Sequence, residues 1–585
     1  LSPQQISKIR ILDPACGSGS FLLGAYQYLL NYHRDWYQKD GPQKHSQEIY
    51  QGYGGQWYLT TREKKRILLN NIYGVDIDPQ AVEVTKLSLL LKVLEGENQD
   101  TLERQIKLFK ERALPDLGNN VKCGNSLIGP EFYQGKQMDL LDSDEAYRIN
   151  AFDWEKEFSE IMKRGGFDAV IGNPPYIRIQ TMKEWAPVEV ETYKKYYSSA
   201  SKGNYDIYVV FVERGLSLLN KQGRLGFILP HKFFNAQYGE SLRALLAKGR
   251  HLADVVHFGD QQVFSGATNY TCLLFLDKSG SKQCHFIKVD DLTAWRLNGE
   301  ATEGKIPTTK ITASDWNFTV GKGAELFEKL SKMPVKLGDL AARIFQGLVT
   351  GADPVFILSD HSKGKYSSEA TEQLHRIESD LMHPLCKGSL NIRRYHVSEL
   401  TKSVLFPYKY VQGKAELLTS KELAELYPHA WDYLQINRTA LESRERGKWK
   451  HNRWYAFGRS QNLSEMEQKK ILTPSIAKSA SFTLDSTDFY YFVGSGGGGG
   501  GGYGVILQAN ELMAYEYILG LLNSKLLDYF LKSLSSPFSG GYYAYNRQYI
   551  EQLPIHPINF SDPTDKASHD KMVELVERML SLHKE

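Results

Sequence analysis

Cysteine is scarce in this sequence. The 585 residues contain five cysteines, with no CxxC pair and no histidine at metal-ligand spacing. This argues against a zinc site and against a disulfide framework. We therefore expect reduced, mostly buried thiols and no bound metal; the cysteines are Cys16, Cys123, Cys272, Cys284 and Cys386.

Long apolar runs and a strong net charge are missing as well. No stretch approaches the roughly 20 apolar residues that cross a membrane, and no signal peptide is visible. We therefore expect a cytoplasmic protein without a membrane partner. The formal net charge is only +3, so a nucleic-acid partner would have to meet a local basic surface.

A chain of 585 residues is too long for one hydrophobic core. After about residue 277 the loops lengthen, and basic and aromatic residues interleave. We place the domain boundary near residues 320–335, which gives domains 1–325 and 326–585. The chain starts at Leu1 close to its first predicted strand, and this start predicts a fragment or a processed chain.

Short apolar runs and helical patterns alternate through the first domain. This predicts an α/β fold with a doubly wound, mainly parallel sheet and an antiparallel edge, followed by an α+β second domain. Residues 33–63 are predicted to be an insertion, and residues 494–504 a flexible glycine-rich loop. The predicted strands are 9–12, 71–79, 121–127, 167–171, 224–229, 255–259 and 271–277, and the last two form a closing hairpin. The predicted helices are 21–32, 80–94, 207–219, 241–247, 514–532 and 571–583.

The segment Asn173-Pro174-Pro175-Tyr176 follows the buried strand 167–171 through Gly172. Two consecutive prolines forbid both a helix and continued strand pairing, so the amide and the aromatic ring lie on stiff backbone. Open α/β sheets bind ligands at the carboxyl ends of their strands. The alternative is an ordinary Asn-Pro turn after a strand.

A glycine-containing loop, residues 13–19, follows the first predicted strand. The third glycine lies at Gly24 rather than at the dinucleotide spacing, which disfavours a nicotinamide cofactor. Asp13 beside the loop would repel a pyrophosphate, so a cationic or amino-bearing ligand fits better. Asp76 ends the next strand, where a carboxylate commonly accepts hydrogen bonds from ribose hydroxyls. Asp78 is predicted to cap the following helix.

Taken in order, these segments resemble the S-adenosylmethionine-dependent DNA adenine-N6 methyltransferases. The similar branch has the cofactor loop first, the NPPY motif later and a C-terminal target-recognition domain, as in type IIG restriction–modification enzymes. Segments 229–234 and 263–264 resemble later motifs of that family. The resemblance implies S-adenosylmethionine as the cofactor, double-stranded DNA as the partner and a monomeric enzyme. The cofactor-binding residues that it implies are Asp13, Pro14, Ala15, Cys16, Gly17, Gly19, Phe21, Asp76, Ile77, Asn125, Ser126 and Asn173.

The same resemblance implies catalytic roles for Asn173, Pro174, Pro175 and Tyr176. The carbonyl oxygens of the Asn173 side chain and of Pro174 would accept both N6 protons of a flipped adenine and so direct its lone pair to the methyl group. Tyr176 would stack on the base, with Phe264 on the opposite face; the alternative for Phe264 is a core residue of the hairpin. His231 is expected to be structural rather than an acid–base group.

Basic and aromatic residues of the second domain are the predicted DNA contacts, because cations meet phosphates and aromatic rings stack or wedge. The alternative is a solvated face beside ordinary core aromatics. The candidates are Arg343, Gln346, Arg393, Arg394, Arg444, Arg446, Lys448, Lys450, Arg453, Trp454 and Arg459.

Two departures from the family pattern qualify the resemblance. The cofactor-contacting motif that usually precedes the glycine loop is missing, and the insertion at 33–63 lengthens the next gap. No nuclease motif is found, so any endonuclease would lie upstream of this chain. The alternatives are a cytosine-N4 DNA methyltransferase, a protein glutamine methyltransferase and a DNA-specificity module without activity. Asn rather than Ser at position 173 favours adenine, and the large basic-aromatic second domain favours DNA.

Overall fold

The computed structural model describes residues 1–52, 54–97, 114–134, 147–264, 270–362, 364–494, 500–509, 514–535, 537–538 and 540–583. The chain divides into two compact units, Leu1–Gly321 and Lys322–Glu585. The predicted boundary at 325/326 lies just beyond this division. Residues 495–499 of the predicted glycine-rich loop at 494–504, and the tip of the predicted hairpin at 265–269, lie outside the described residues. Residues 502–504 of that predicted loop are instead the start of a strand.

The first unit contains a nine-stranded sheet with the order β11-β10-β8-β9-β7-β6-β1-β4-β5. A separate two-stranded hairpin, β2–β3, lies in the predicted insertion. The strands are β1 Ile11–Asp13, β2 Ile49–Gln51, β3 Trp57–Leu59, β4 Ile72–Asp76, β5 Val121–Cys123, β6 Phe167–Gly172, β7 Leu219–Pro230, β8 Leu252–His257, β9 Thr271–Asp277, β10 Gln283–Lys288 and β11 Thr302–Pro307.

Strand β1 is the centre of the parallel part of the sheet. It pairs in parallel with β4 on one side and with β6 on the other, and β5 and β7 extend these pairs in parallel. Strands β4 and β5 are therefore added on one side of β1, and β6 and β7 on its other side. The carboxyl ends of β1 and β6 flank the resulting topological switch point. Strand β9 is antiparallel to β7 and β8. The predicted doubly wound, mainly parallel sheet is confirmed.

The predicted closure of this sheet at residue 277 is wrong. Strand β10 pairs in parallel with β8, and β11 pairs with β10 in the antiparallel direction. No side chain of β11 is fully buried, so this edge strand has none of the apolar signal by which buried strands are found.

The helix after the glycine loop is longer than predicted. It runs from Ser20 to Asp40 and ends at Gly41, because His33 and Tyr37 continue the buried face that begins with Leu22 and Tyr26. The predicted insertion therefore starts as a helix and continues as the β2–β3 hairpin. The other helices of this unit are Pro3–Ile6, Thr61–Asn71, Pro79–Leu94, Trp154–Glu157, Ser159–Lys163, Ile179–Trp185, Pro187–Tyr196, Tyr208–Leu218, Glu240–Lys248 and Leu292–Asn298.

The main core of the first unit lies between the sheet and the helices that cover it. Strand residues such as Val170 and Phe227 meet Tyr208 of the covering helix Tyr208–Leu218 there. Burying a side chain of this kind contributes about 1.5–3 kcal/mol. This packing fixes the strand ends that carry the predicted motifs.

The second unit is α+β, as predicted. Its sheets have the orders β12-β24-β20-β22, β15-β14-β13-β17-β16-β23, β18-β19 and β21-β26-β25. The strands are β12 Ala341–Gln346, β13 Ile357–Ser362, β14 Lys365–Ser368, β15 Gln373–Arg376, β16 Met382–Cys386, β17 Lys402–Leu405, β18 Tyr408–Val411, β19 Lys414–Leu417, β20 Lys470–Pro474, β21 Ile476–Ala477, β22 Thr483–Asp485, β23 Tyr491–Phe492, β24 Gly502–Leu507, β25 Pro537–Phe538 and β26 Tyr542–Ala544.

The predicted helix 514–532 is in fact two helices, Tyr515–Leu522 and Lys525–Leu534. The break occurs because the Asn523 side chain pairs with the backbone N–H and carbonyl of Phe482, while Ser524 caps the second helix. The other helices of this unit are Ala324–Ser331, Leu337–Leu340, Asp353–Phe356, Gly388–Asn391, Ser420–Leu426, Pro428–Ile436, Arg438–Glu442, Arg444–Gly447, Arg547–Ile550 and Pro563–Leu582.

Candidate active site

The glycine loop between β1 and the helix Ser20–Asp40 is pressed against the helix Pro79–Leu94. Thr85 Oγ1 donates a hydrogen bond to the Gly17 carbonyl at 2.7 Å. Gly17 and Gly19 have φ of +52° and +82°, and a Cβ at Gly19 would lie 2.8 Å from Thr85 Cγ2. Only glycine therefore fits at position 19. Cys16 is buried, whereas Phe21 is half-buried in the first turn of the helix.

Asp76, the last residue of β4, also binds the glycine loop. Its Oδ2 accepts the Gly17 N–H at 2.8 Å, and its Oδ1 accepts the Asp78 N–H at 3.0 Å. Each carboxylate oxygen keeps a second lone pair for a ligand. Asp78 accepts the N–H of Gln80, which confirms the predicted helix cap. Between the two carboxylates, the Ile77 side chain is 49% exposed.

Asp13 at the end of β1 is an acidic side chain in a buried position. Its Oδ1 accepts the Ala15 N–H at 3.0 Å, and the residue is only 2% exposed. Burial raises the pKa of Asp13 to about 7; the nearby charge of Asp76 acts in the same direction, and the hydrogen bond from Ala15 opposes it. A protonated or a counter-charged Asp13 is therefore favoured at this position.

The segment after β5 is fastened to the same loop. Ser126 Oγ donates to the Pro14 carbonyl at 2.6 Å, and the Asn125 Oδ1 accepts the Leu127 N–H at 3.0 Å. Asn125 and Ser126 are both nearly fully buried. The ends of β1, β4 and β5 thus form one continuous edge, with the glycine loop across it.

The segment 173–176 completes this edge after β6. Gly172 has φ of +151°, and a Cβ there would lie 2.6 Å from Asp13 Oδ1, so β6 ends directly against the buried carboxyl group. Asn173 is exposed, Pro174 is buried, and Pro175 and Tyr176 are half-buried. The glycine-loop residues and the NPPY segment are therefore neighbours.

Tyr176 joins the NPPY segment to β7. Its hydroxyl lies 2.5 Å from Asn173 Oδ1 and 3.0 Å from the Ile228 carbonyl oxygen, both of which can accept its proton. The ring packs edge-to-face with Tyr208, with ring centroids 6.2 Å apart. Burial raises the pKa of Tyr176, so its phenol stays neutral. The Asn173 side chain is thereby held on a rigid strand pair.

Phe264 lies five residues past Gly259, in the segment that connects β8 to β9. It is 36% exposed, which contradicts the alternative that it is a core residue of the hairpin. Its ring is available at the surface of the first unit.

Three family profiles match this chain, and they match it in the order of the motifs. The N-6 DNA methylase profile matches residues 3–113, and the Eco57I restriction-modification methylase profile matches residues 70–264. The profile of the TaqI-like C-terminal specificity domain matches residues 383–555. This chain is therefore similar to N6-adenine DNA methylases over residues 3–264 and to a TaqI-like specificity domain over residues 383–555.

Proteins similar to this chain include restriction enzymes. The Escherichia coli type II restriction enzyme and methyltransferase RM.Eco57I is 29% identical over 582 residues, which are 97% of this chain and 55% of the relative. A Methanocaldococcus jannaschii protein, the putative type II restriction enzyme and methyltransferase RM.MjaORFECS2P, is 26% identical over 90% of this chain and 46% of its own length. The chain spans about half the length of these curated relatives.

A solved structure of the type IIL restriction–modification enzyme MmeI in complex with DNA has the same fold. The TM-score is 0.60 at 14% sequence identity, and the match covers 97% of this chain and 65% of that chain. S-adenosylmethionine is the type of cofactor that the matched methylase profiles imply. Over the residues that the structure describes, no helix is long and apolar enough to cross a membrane, and no group of three or more His, Cys, Asp or Glu side chains could hold a metal ion.

Two of the predicted DNA contacts, Arg444 and Trp454, are already engaged by other groups of the fold. Arg444 donates to the backbone carbonyls of Leu441, Thr350, Ala456 and Trp454, and its guanidinium lies 4.1 Å from the centroid of the Trp449 ring. Trp454 is 4% exposed and belongs to the core. We therefore reassign Arg444 and Trp454 to structural roles, because their donors and ring are already satisfied within the fold.

The remaining candidates in the specificity region are accessible to different degrees. Arg393 donates to the carbonyls of Ser389 and Leu390 and so stabilises a local turn. The exposed cations of the set are Arg394, Arg446, Lys448, Lys450, Arg453 and Arg459.

Arg343 and Gln346 lie on β12 in a polar groove of about 560 Å³. Arg343 Nε pairs with Glu465 at 2.8 Å, and Gln346 Nε2 donates to the Gly494 carbonyl at 2.6 Å. Gln461, Asn462, Tyr503 and Arg547 also line this groove and were missed at the level of sequence. They come from segments far apart in the chain, so no local pattern connects them.

Proposed function

We propose that the first unit transfers a methyl group from S-adenosylmethionine to the N6 atom of an adenine in DNA, at a sequence that the second unit selects. The observation that carries this proposal is the single edge at which Asp13, Asp76, Asn125 and Asn173 meet, with Gly172 directly against Asp13. Methyl transfer in one step requires contact between the acceptor site and the cofactor loop.

The chemistry of the loop fits the cofactor. S-adenosylmethionine, when bound, supplies an activated methyl group on a positively charged sulfur. The buried Asp13 carboxyl group favours a cationic ligand, since a neighbouring positive charge would offset its cost of ionisation. The free lone pairs of Asp76 suit ribose hydroxyls, and the exposed Ile77 suits the face of an adenine ring.

Asn173 and Pro174 would orient the acceptor amine. An exocyclic adenine amine is a poor nucleophile because its lone pair is delocalised into the ring. Hydrogen bonds from both amine protons to the Asn173 side-chain oxygen and the Pro174 carbonyl would localise that lone pair. The Tyr176 hydroxyl occupies one lone pair of Asn173 Oδ1, and the oxygen keeps a second one for the amine. Removing one preorganised contact of this kind costs roughly a factor of 100 to 1000 in rate.

The target base would be flipped out of the duplex, because the amine cannot be reached inside it. Extrusion costs a few kcal/mol, and stacking returns about 1–3 kcal/mol per base. Tyr176, next to Asn173, and the exposed Phe264 are the two rings that we assign to this stacking.

Recognition of DNA would use the groove along β12 and the exposed cations of the second unit. Arginine and glutamine side chains such as Arg343, Gln346 and Gln461 match the donor and acceptor patterns of base edges. Arg446 and Lys448 would bind phosphates. We place this chain in a cytoplasmic, monomeric restriction–modification enzyme of the type IIG kind, with a nuclease, where one exists, encoded upstream.

Incubation of the chain with radiolabelled S-adenosylmethionine and a mixed-sequence duplex tests this function, with the Asn173→Ala variant as the control. The label should appear on adenine N6 in DNA treated with the unmodified chain only. Label on cytosine N4 would support the cytosine alternative. Specific DNA binding without transfer would support a specificity module.

A further inference from the structure

Two histidine rings that the proposed reaction does not use lie together at the carboxyl ends of β7 and β8. His231 follows the last residue of β7, and His257 is the last residue of β8; their ring centroids are 4.1 Å apart. Phe234 packs against both rings. The two histidine rings are therefore packed together with Phe234 and are not isolated surface side chains.

His231 binds one described residue after β8 and one before β9. Its Nε2 donates to the Gly259 carbonyl at 3.1 Å, and its backbone N–H donates to the Tyr270 carbonyl at 3.2 Å. The His231 and Tyr270 rings are also stacked, with an interplanar angle of 17°. After β8, the His257 Nδ1 also accepts the Gly259 N–H at 3.1 Å. Both backbone groups of Gly259 are thus bound by imidazoles.

These contacts fix the proton positions on the two rings. A carbonyl oxygen only accepts, so His231 must carry a proton on Nε2, and His257 must leave Nδ1 unprotonated. Burial lowers the pKa of His231 to about 4 and that of His257 well below its ordinary value, so both rings are neutral at neutral pH. With its Nε2–H committed to Gly259, His231 has no proton to exchange with a substrate.

The carboxyl end of β7 also binds Tyr176 of the NPPY segment. The Ile228 carbonyl, three residues before His231, is the acceptor for the Tyr176 hydroxyl. Phe264 lies five residues after Gly259, the residue whose carbonyl accepts the His231 Nε2–H. One short stretch of the chain, residues 228–231, therefore binds Tyr176 on one side and the start of residues 259–264, which end with Phe264, on the other.

We propose that His231 is a positioning residue that fixes the spacing between the Tyr176 and Phe264 rings, and hence the width of the slot for the flipped base. This inference rests on the proposed function, in which the two rings stack on the target adenine. It assigns to His231 neither proton transfer nor contact with the base. It predicts that losing the bond to Gly259 weakens base capture and leaves cofactor binding intact.

Two substitutions separate this role from simple loss of packing. The amide N–H of His231→Gln can still donate to the Gly259 carbonyl, whereas His231→Leu fills similar space without a donor. His285→Gln is a matched control, since His285 is a partly exposed residue of β10 that pairs with Asp254 and Glu303. All variants are made in the full chain and checked for unchanged affinity for S-adenosylmethionine.

The readouts are single-turnover methylation and the fluorescence of 2-aminopurine placed at the target adenine of a duplex. His231→Leu should lose about tenfold in rate, the value of one net hydrogen bond, together with most of the fluorescence gain. His231→Gln should recover most of both, and His285→Gln should match the unmodified chain. A His231→Leu variant that captures the base normally overturns the proposal, and so does a His231→Gln variant as slow as His231→Leu.

A double-mutant cycle with Phe264→Ala tests whether His231 acts through that ring. If it does, His231→Leu should add little to the loss caused by Phe264→Ala; full additivity contradicts the proposal. Amide hydrogen exchange over residues 258–264 gives a readout without DNA, and it should accelerate in His231→Leu alone. If the unmodified chain transfers no methyl group, the proposed function fails, whereas unchanged exchange in His231→Leu refutes the anchor itself.

Discussion

Asp13 should make cofactor binding depend on pH near neutrality. The carboxyl group is buried at the end of β1, against Gly172 and the glycine loop, with its pKa raised to about 7. A cationic ligand favours the ionised form, so S-adenosylmethionine should bind best above this pKa and release a proton from Asp13 below it. Replacing Asp13 with Asn removes the titration and keeps an oxygen for the Ala15 N–H.

The pKa shift of Asp13 sets the size of its effect on folding stability. A rise from the ordinary value of 3.8 to about 7 corresponds to about 4 kcal/mol against the ionised form. Between these two values the folded chain holds the proton and the unfolded chain does not, so folding stability falls as the pH rises through this window. At pH 8, Asp13→Asn should therefore be more stable than the unmodified chain by up to about 4 kcal/mol.

Cofactor affinity changes in the opposite sense. Each pH unit below the pKa costs about tenfold, so affinity should fall roughly 30-fold from pH 8 to pH 5.5. Titration calorimetry at both pH values measures this, with Asp290→Asn, an exposed carboxylate of the same unit, as the control. Urea unfolding at both pH values measures the stability change. A pH-independent affinity in the unmodified chain, or an unchanged stability slope in Asp13→Asn, would refute the reasoning.

Three further experiments test the glycine loop, the DNA surface and the core position of Trp454. Gly19→Ala should weaken cofactor binding in calorimetry, because its φ is +82° and a Cβ would lie 2.8 Å from a threonine methyl group. Gly24→Ala, with nothing within 4 Å of its Cβ, should leave binding unchanged, and equal losses would contradict the close fit. Replacing Arg446 and Lys448 with Ala should lower the salt slope of DNA affinity by about two, and an unchanged slope would move the phosphate contacts elsewhere. Trp454→Ala should destabilise the chain by about 3–5 kcal/mol in urea unfolding, whereas a stable variant with weaker DNA binding would restore its predicted contact role.

The arrangement of the candidate active site could be predicted because each motif ends a strand. Asp13, Asp76 and Asn173 follow apolar runs, and parallel strands bring their carboxyl ends to one edge. The close contact of Gly172 with Asp13 could not be predicted, because it depends on which two strands flank the switch point. The exposure of Phe264 likewise follows from tertiary packing, and its type alone allowed a core position.

The second unit was less predictable from sequence. Basic residues near aromatic ones indicated a DNA surface, but no sequence pattern shows which donors turn inward. Arg444 donates to four backbone carbonyls and Trp454 is buried. The helix break at Asn523 depends on Phe482, some forty residues earlier in the chain. Edge strand β11 was missed since it buries no complete side chain.

The most direct test of the account concerns the Asn173 side chain. The substrate is an unmethylated duplex with the sequence that the unmodified chain methylates. Single-turnover transfer from labelled S-adenosylmethionine to this duplex is compared for the unmodified chain, Asn173→Ala and the exposed control Asn298→Ala. The account predicts a loss of about 100- to 1000-fold in Asn173→Ala, with cofactor affinity unchanged and the control fully active. Transfer to adenine at an undiminished rate in Asn173→Ala would contradict it.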